Sequence, residues 1–335
     1  MTTSTTSVRV EHDDTPLGRA LVAAIDAQEG LERARGEACD AVVDAGVEPA
    51  GLERVRAALD AGSHWVDLCW ERGWSEEVAT LDEHAKSVER AAVCSAGAFC
   101  GLTDPFVRAS ADEMVRVNEV QLGLTVGSGA EIDPSSMGRF LAARDASIEM
   151  LIGGEWSKRE FYGDRRAYGF PPPIGERFGG NADCTDLAVF TQRPVRSASV
   201  RLTVAPPSPR AERASRRFLD WVGKGRIKED GMVARALGAL DRYGKNGPSA
   251  LAISVRGIGP TRLPLELRTG FVAAPGSARA FSVAPAIEAL LAIAKEPNPG
   301  AGPCVGRLDR AALEARLTAA GVTVTTGDMG GWKGA

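Results

Sequence analysis

The sequence predicts an α/β protein with two domains: a parallel sheet covered by helices, then a second α+β domain with a largely antiparallel sheet. Between residues 8 and 110, short apolar strands alternate with helical patterns, which is typical of a parallel sheet. From about residue 115 to 280, longer segments alternate apolar and polar residues, as in antiparallel strands with one covered face. The 335 residues, 44% hydrophobic and 25% charged, suffice for two cores.

The segment 8–25 has the strand, turn and helix that open a dinucleotide-binding fold. A phosphate-binding G-x-G-x-x-G turn would place its three glycines at the positions of Asp13, Thr15 and Gly18, so only the last glycine is kept. Asp13 and Asp14 would repel a diphosphate from the helix N-terminus. We therefore expect a truncated, Rossmann-like domain with a degenerate loop and no nicotinamide cofactor. A divergent loop that still binds NAD(P) through its side chains is the alternative.

The next segment supports a truncated first domain. Residues 27–37 are too few for a second strand, a helix and a third strand before the strand at 39–44, because a crossover alone takes about a dozen residues. The strand that normally reads the ribose is therefore expected to be short or absent. A regular pattern follows, with helices at 52–62 and 78–85 and strands at 65–69 and 91–94.

The second domain is expected over residues 111–282, after a first domain over 1–110. Its strands are predicted at 120–126, 198–204, 251–255 and 263–272, its helices near 136–147, 209–223 and 230–243, and its loops at 169–175 and 205–209. A further Gly/Pro-rich loop is predicted at 296–303. The C-terminal segment 283–325, with helices at 283–295 and 308–320, is expected to return to the first domain.

Composition and charge exclude several classes of protein. The net charge of −4 gives no basic face for nucleic acid, and the short stretches Arg213–Arg217 and Lys224–Lys228 are interpreted as solvated helix ends. No apolar run is long enough to span a membrane, and the N-terminus lacks targeting features, so a cytoplasmic protein is expected. Six cysteines without a C-x-x-C pair and only three histidines predict reduced thiols and no metal site.

Two segments have the pattern of a known family: residues 39–45, CDAVVDA, and residues 51–68, GLERVRAALDAGSHWVDL. The first is similar to the D-x-V-V-x-A strand, and the second to the A-x-x-A-G-x-x-Y-V-D-L segment, of the saccharopine dehydrogenase-like family. The strand at 92–97, the loop at 170–173 and the turn at 303–306 also look similar. The resemblance covers roughly residues 39–320. It implies a Rossmann-like NAD(P) domain paired with an α/β substrate or dimerisation domain, and so a possible homodimer; the chain departs from the family at the cofactor loop.

Candidate site residues follow the strands of the first domain, because α/β folds bind ligands beyond the carboxyl ends of their strands. Asp67 and Glu71 are candidate general acids or bases, since a carboxylate near apolar rings has a raised pKa. The candidate substrate-binding residues in this domain are Trp65, Trp70, Trp74, Ser95 and Phe99. Core packing is the competing interpretation for the tryptophans, and helix capping or a solvated position for Asp67.

The second domain adds aromatic candidates beside a Pro-rich loop. Tyr168 is the third candidate catalytic residue, as a proton donor, and Tyr162 and Phe170 are candidate substrate-binding residues. The rigid loop that begins at Phe170 suits a lid over a pocket, and a solvated hairpin is an equal alternative.

These observations favour a redox-neutral enzyme, a cyclase, isomerase or lyase. Its substrate would be a sizeable apolar small molecule, such as a polyketide-like intermediate of bacterial secondary metabolism, bound in a cleft vacated by a lost nicotinamide cofactor. Two alternatives stay open: an NAD(P)-dependent oxidoreductase with an aberrant phosphate loop, and a non-catalytic binding protein. Nicotinamide binding would identify the first alternative, and a metabolite retained by the purified protein would exclude the second.

Overall fold

The computed structural model describes residues 5–46, 48–127, 132–143, 146–192, 195–206, 208–223, 231–244 and 247–332. The basic stretch Lys224–Lys228 and part of the predicted helix 136–147 lie outside these residues. The chain divides into two compact units. Unit 1 consists of Met1–Pro105, Cys184–Val189 and Phe281–Arg316, and unit 2 of Phe106–Asp183, Phe190–Ala280 and Leu317–Ala335. The predicted domain limits of 1–110, 111–282 and 283–325 stay a prediction.

The helices and strands follow in chain order. The first are β1 (Thr6–Glu11), α1 (Pro16–Asp26), β2 (Leu31–Arg33), β3 (Ala41–Asp44), α2 (Leu52–Asp60), β4 (His64–Asp67), α3 (Arg72–Ala79), α4 (Asp82–Ser87), β5 (Ala91–Cys94) and α5 (Thr103–Asp112). The next are β6 (Arg116–Thr125), α6 (Pro134–Ala142), β7 (Ser147–Ile152), β8 (Glu155–Glu160), β9 (Arg166–Gly169), β10 (Glu176–Ala182), α7 (Asp186–Val189), β11 (Ser199–Ala205), α8 (Pro209–Gly223) and α9 (Met232–Gly244). The last are β12 (Ser249–Ile258), β13 (Pro264–Ala273), α10 (Ala280–Lys295), β14 (Gly300–Pro303), α11 (Arg310–Ala319), β15 (Val322–Asp328) and β16 (Gly331–Trp332).

Unit 1 is built on a parallel sheet with the order β14-β5-β4-β3-β1-β2. Successive residues of a strand point to opposite faces, so Val43 packs with α1 and α10 while Val42 packs with α2, α3 and α4. Both faces are therefore buried, which explains why β3, β4 and β5 are buried along their whole length. The prediction of a helix-covered parallel sheet is confirmed.

The strand after α1 is short, as expected from the sequence. β2 has three residues and pairs with β1 on one side, whereas β3 pairs with β1 on the other side. The connection 34–40 crosses from β2 to β3 without a helix. The chain thus omits the third strand, and its helix, of a full dinucleotide-binding half-domain.

Unit 2 contains an eight-stranded sheet with the order β16-β15-β13-β12-β6-β11-β10-β9. The pair of β6 and β11 is parallel and the other neighbours are antiparallel, so the prediction of a largely antiparallel second sheet is confirmed. Phe106 of α5 packs edge-on against Phe271 on one face, with 4.8 Å between the ring centroids. α6, α8 and α9 share a separate apolar cluster around Met137 and Met232.

The sequence patterns predicted no strand at the positions of β7, β8, β9, β10, β14, β15 and β16. The hairpin of β7 and β8 has one exposed side, and its strands show no clear apolar period. β15 and β16 lie after the last predicted helix and also lack a clear apolar period. The predicted loop 296–303 contains β14, which pairs with β5 through a Gly-rich segment. Among the described residues, no helix is long and apolar enough to cross a membrane.

Candidate functional site

The strand order of unit 1 reverses between β1 and β3. The chain leaves β1 for β2 at one edge and returns to β3 on the opposite side of β1. Open α/β sheets bind ligands beyond the carboxyl ends of the strands at such a switch point. The candidate site is therefore the turn between β1 and α1 together with the end of β3.

The turn after β1 is tight, although two of the glycines expected there are replaced. His12 adopts a left-handed φ of 58°, a conformation usually left to glycine. A Cβ atom on Gly18 would lie 2.0 Å from the carbonyl oxygen of His12, so only glycine fits where α1 passes over the end of β1. Thr15 caps α1: its Oγ1 accepts from the backbone N–H of Gly18 at 3.0 Å and donates to the His12 carbonyl at 2.8 Å.

This cap reduces the number of backbone N–H groups that the N-terminus of α1 can donate to a phosphate. The N–H of Gly18 is bonded to Thr15, and Pro16, at the first helical position, has no N–H. Cationic side chains stand nearby instead. The Arg19 guanidinium donates to the Asp14 carbonyl, and that of Arg33, at the end of β2, lies 4.0 Å from the half-exposed carboxylate of Asp13.

Asp44 closes the candidate site on the side of β3. Its buried Oδ1 accepts from the backbone N–H of Gly46 at 2.7 Å and lies 3.6 Å from Nε2 of His12. Burial raises the pKa of the Asp44 carboxyl, and the Gly46 N–H partly offsets this. The His12 side chain is 46% exposed, so the imidazole joins a buried carboxylate to solvent at the switch point. Sequence reasoning missed His12 and Asp44, although both stand at predicted strand ends.

Asp67, the first predicted acid or base, lies inside unit 1 and is 1% exposed. Its Oδ2 accepts from the indole N–H groups of Trp65 at 3.2 Å and Trp74 at 3.0 Å. Its Oδ1 accepts from the backbone N–H groups of Cys69 at 3.1 Å and Ser95 at 3.2 Å. Burial raises the pKa of Asp67 to about 7 against the opposing effect of these donors. Four donors on two oxygens make this carboxylate the hub that joins β4, β5 and α3.

The other predicted residues of unit 1 surround this hub. The hydroxyl of Ser95 donates to the Cys69 carbonyl and lies 2.8 Å from the hydroxyl of Thr185, and the rings of Trp70 and Phe99 are 5.8 Å apart. The structure therefore brings Trp65, Trp70, Trp74, Ser95 and Phe99 together with Asp67. All but Trp70 are buried, which favours core packing for them. Glu71 precedes α3 and is half-buried, so it is the more accessible of the two predicted carboxylates of unit 1.

The predicted aromatic residues of unit 2 are mostly buried as well. The Tyr168 hydroxyl lies 3.1 Å from the carbonyl oxygen of Gln121 and 3.0 Å from that of Ala252, and burial raises its pKa well above the usual value. Phe170 is buried beside Tyr168, with 5.1 Å between the ring centroids. Tyr162 is half-buried and packs edge-on against Phe140, with the guanidinium of Arg165 5.7 Å from its ring centre.

Sequence comparisons find no match: no protein-family model fits the chain, and no curated protein is similar in sequence. Comparison of folds does find matches. The chain is similar to an apo saccharopine dehydrogenase (L-Glu forming) from Saccharomyces cerevisiae, with a TM-score of 0.66 and 10% identity over 97% of this chain and 100% of that one. It also matches a C. glutamicum DAP dehydrogenase in complex with DAP (TM-score 0.45, 12% identity, 93% and 96% coverage). A third match is an engineered D-amino acid dehydrogenase bound to NADP+ (TM-score 0.46, 12% identity, 93% and 96% coverage).

The whole-length match with the yeast enzyme confirms a Rossmann-like fold similar to that of saccharopine dehydrogenase. It also corrects two expectations. The prediction of a redox-neutral cyclase, isomerase or lyase is wrong, because the protein that shares the fold from end to end is a dehydrogenase. The prediction that the chain has no nicotinamide cofactor is wrong for the same reason. Both expectations came from counting the glycines expected in the turn after β1, of which only Gly18 is present.

Proposed function

We propose that this protein is an NAD(P)-dependent oxidoreductase that prefers NADP(H) and acts on a small molecule. The observation that carries the proposal is the match in fold, over the full length of both chains, with a dehydrogenase. The reversal of strand order beside β1 supports a ligand at the same place, and so does the close packing of Gly18 against the turn.

The residues of the β1–α1 turn fit a pyrophosphate through side chains rather than through a row of backbone N–H groups. Arg19 would supply the positive charge, and His12 an N–H donor, that backbone donors supply in a glycine-rich turn. Arg33 would bind at the ribose end of the cofactor. Asp13 would have to release Arg33, which costs little because both side chains are about half exposed and their separation is 4.0 Å. Asp44 would hold the His12 imidazole in place from the buried side.

The end of β2 supports the preference for NADP(H). In dinucleotide-binding folds the residue after this strand reads the ribose, with an acidic residue for NAD and an arginine nearby for the 2′-phosphate of NADP. Here Arg33 ends β2 and Arg35 follows two residues later, and both side chains are exposed. A bidentate guanidinium–phosphate contact at this position would favour the phosphorylated cofactor.

The bound nicotinamide would supply or accept the hydride, and the protein would hold the substrate and move a proton. Among the predicted residues, Glu71 is the candidate for this proton transfer, because it is half-buried whereas Asp67 and Tyr168 are buried. Trp70 beside it offers a half-buried ring for an apolar part of the substrate. A homodimer stays part of the proposal, supported by the exposed Trp156 and Phe178 on strands of unit 2; we propose no nucleic-acid or membrane partner.

Titration of the full chain with NADPH and NADH, followed by cofactor fluorescence, tests the proposal. We expect NADPH to bind more tightly than NADH. Arg33→Ala should weaken NADPH roughly tenfold to a hundredfold, since a hydrogen bond to a charged group contributes about 1.5–3 kcal/mol, and should barely change NADH. Arg56→Gln, which removes an exposed positive charge from α2, is the matched control. The proposed function would be overturned if neither NADPH nor NADH binds at millimolar concentration.

A further inference from the structure

A basic groove in unit 2 has no part in the proposed function. It runs between α8 and α9, has a volume of about 1030 Å³, and is lined by Arg210, Arg213, Ala214, Arg217, Phe218, Trp221, Arg235, Gly238, Ala239 and Arg242. We call this set the arginine groove. The α8 members recur every three or four residues, as do those of α9, so each helix contributes one continuous face.

The arginine groove concentrates charge of one sign. Its five arginines are exposed, and within the described part of the chain none of them is paired with a carboxylate. Glu212 of α8 points elsewhere and pairs with Arg165 at 3.3 Å. Like charges four residues apart on a helix, such as Arg213 and Arg217, destabilise it. An anion in the groove would relieve this repulsion, and several guanidinium forks could bind its oxygen atoms in pairs.

An aromatic ring lies among these arginines. Trp221 is 47% exposed at the C-terminal end of α8, whereas Phe218, one turn earlier, packs against the apolar cluster shared with α6 and α9. A tryptophan ring with nearly half of its surface exposed beside guanidinium groups is available to stack on a flat ligand. Guanidinium groups beside such a ring also favour a flat aromatic partner.

We propose that the arginine groove binds a small polyphosphate that carries an aromatic base, that is, a nucleoside triphosphate. The arginines would bind the phosphate chain and Trp221 would stack on the base. A small molecule fits better than a nucleic acid, because the basic residues are confined to one groove of ordinary ligand size on a chain with a net charge of −4. This site is separate in sequence from the β1–α1 turn and is a second nucleotide site.

Calorimetric titration of the full chain with ATP, tripolyphosphate and adenosine in 0.1 M NaCl tests the proposal. ATP should bind with a micromolar dissociation constant, tripolyphosphate at least about tenfold more weakly, and adenosine not measurably. ATP should also quench tryptophan fluorescence, and Trp221→Leu should remove most of that change and weaken ATP about tenfold. The double variant Arg213→Gln/Arg217→Gln should weaken ATP by at least thirtyfold.

The matched control is Arg56→Gln/Lys158→Gln, which removes two exposed positive charges from α2 and β8 and should leave ATP binding within about twofold. Thermal unfolding of each variant checks that the fold is kept. NADPH has the same chemistry as the proposed ligand, so its binding is measured on every variant. Arg33→Ala should weaken NADPH and spare ATP, and the double variant should do the reverse, so each proposal can fail without the other.

Three results would overturn the inference. The first is absence of ATP binding at 1 mM. The second is equal weakening of ATP by the groove variant and by the control variant, since the effect would then come from net charge alone. The third is a single-stranded oligonucleotide that binds the groove more tightly than ATP, since the site would then be one for nucleic acid.

Discussion

Asp67→Asn tests whether the carboxylate hub of unit 1 is structural. In the wild type each carboxylate oxygen accepts two N–H donors, from the indoles of Trp65 and Trp74 on one side and from the backbone of Cys69 and Ser95 on the other. An asparagine presents an NH₂ group in place of one oxygen, so two buried donors lose their acceptor. Each unsatisfied buried donor costs about 1–3 kcal/mol, and we expect the free energy of unfolding to fall by about 2–6 kcal/mol.

The same substitution should also change how stability depends on pH. Burial raises the pKa of Asp67 to about 7 from 3.8, so the folded state binds this proton more tightly than the unfolded state. The wild type therefore gains stability from Asp67 as pH falls through 7, and loses that gain as pH rises again. Between pH 7 and 5 the gain is at most about 3 kcal/mol, at about 1.4 kcal/mol per unit. The difference in free energy of unfolding between the wild type and Asp67→Asn should therefore increase as the pH falls.

Urea unfolding at pH 5, 6 and 7, followed by tryptophan fluorescence, measures both effects. Two other buried groups also titrate: burial raises the pKa of Asp186 to about 7 and lowers the pKa of His64 to about 4. Their contributions to stability cancel when the variant and the wild type are compared at one pH. Asp26→Asn, at an exposed carboxylate of α1, is the control. If Asp67→Asn unfolds at the same urea concentration as this control and loses turnover instead, Asp67 is the catalytic acid or base that the sequence predicted.

Three further outcomes are expected. Gly18→Ala should destabilise the protein by about 1–3 kcal/mol and weaken NADPH binding, because its Cβ would lie 2.0 Å from the His12 carbonyl oxygen. The control is Gly73→Ala in α3, whose Cβ meets no atom within 4 Å and which should be neutral or stabilising. Thermal unfolding measures both changes in stability. Tyr168→Phe should lower the free energy of unfolding by about 1–2 kcal/mol, measured in urea, and leave turnover unchanged, since the Tyr168 hydroxyl bonds to backbone carbonyls. A hundredfold loss of turnover at unchanged stability would instead support its predicted catalytic role. Glu71→Gln should lower turnover about a hundredfold or more in a protein that thermal unfolding shows to be folded, and an unchanged rate would exclude Glu71 as the proton-transfer group.

The fold was predictable where burial imposes a simple period. β3, β4 and β5 are buried throughout, with apolar residues on both faces, because both faces of their sheet are covered, and β12 and β13 are long enough for their alternation to stand out. β2 has three residues, one of them buried, which is too little for a pattern. β14 was missed because its Gly-rich segment is held by pairing with β5, a long-range contact that local composition does not encode.

The candidate site was harder to predict than the fold. The sequence predicted that Asp67, Trp65, Trp74 and Ser95 lie together, and they do, but it could not tell a carboxylate that faces a ligand from one that four N–H groups enclose. That distinction depends on the indole nitrogens of Trp65 and Trp74, which meet the same carboxylate oxygen from β4 and from α3. Sequence spacing places residues on elements but does not fix side-chain directions across them.

The phosphate turn shows why a glycine count misled the prediction of function. Glycine serves such a turn in two ways: it permits a left-handed backbone, and it leaves room for close approach. The left-handed conformation of this turn lies at His12, one residue before the first expected glycine, at a cost of about 1–2 kcal/mol that the Thr15 bond to the His12 carbonyl helps to offset. At Gly18 the requirement is room, and no side chain can meet it. The first requirement can therefore disappear from a sequence while the turn persists, and the second cannot. Gly18 is for that reason the better indicator of the fold, and the cations around the turn are the basis of the proposed cofactor site.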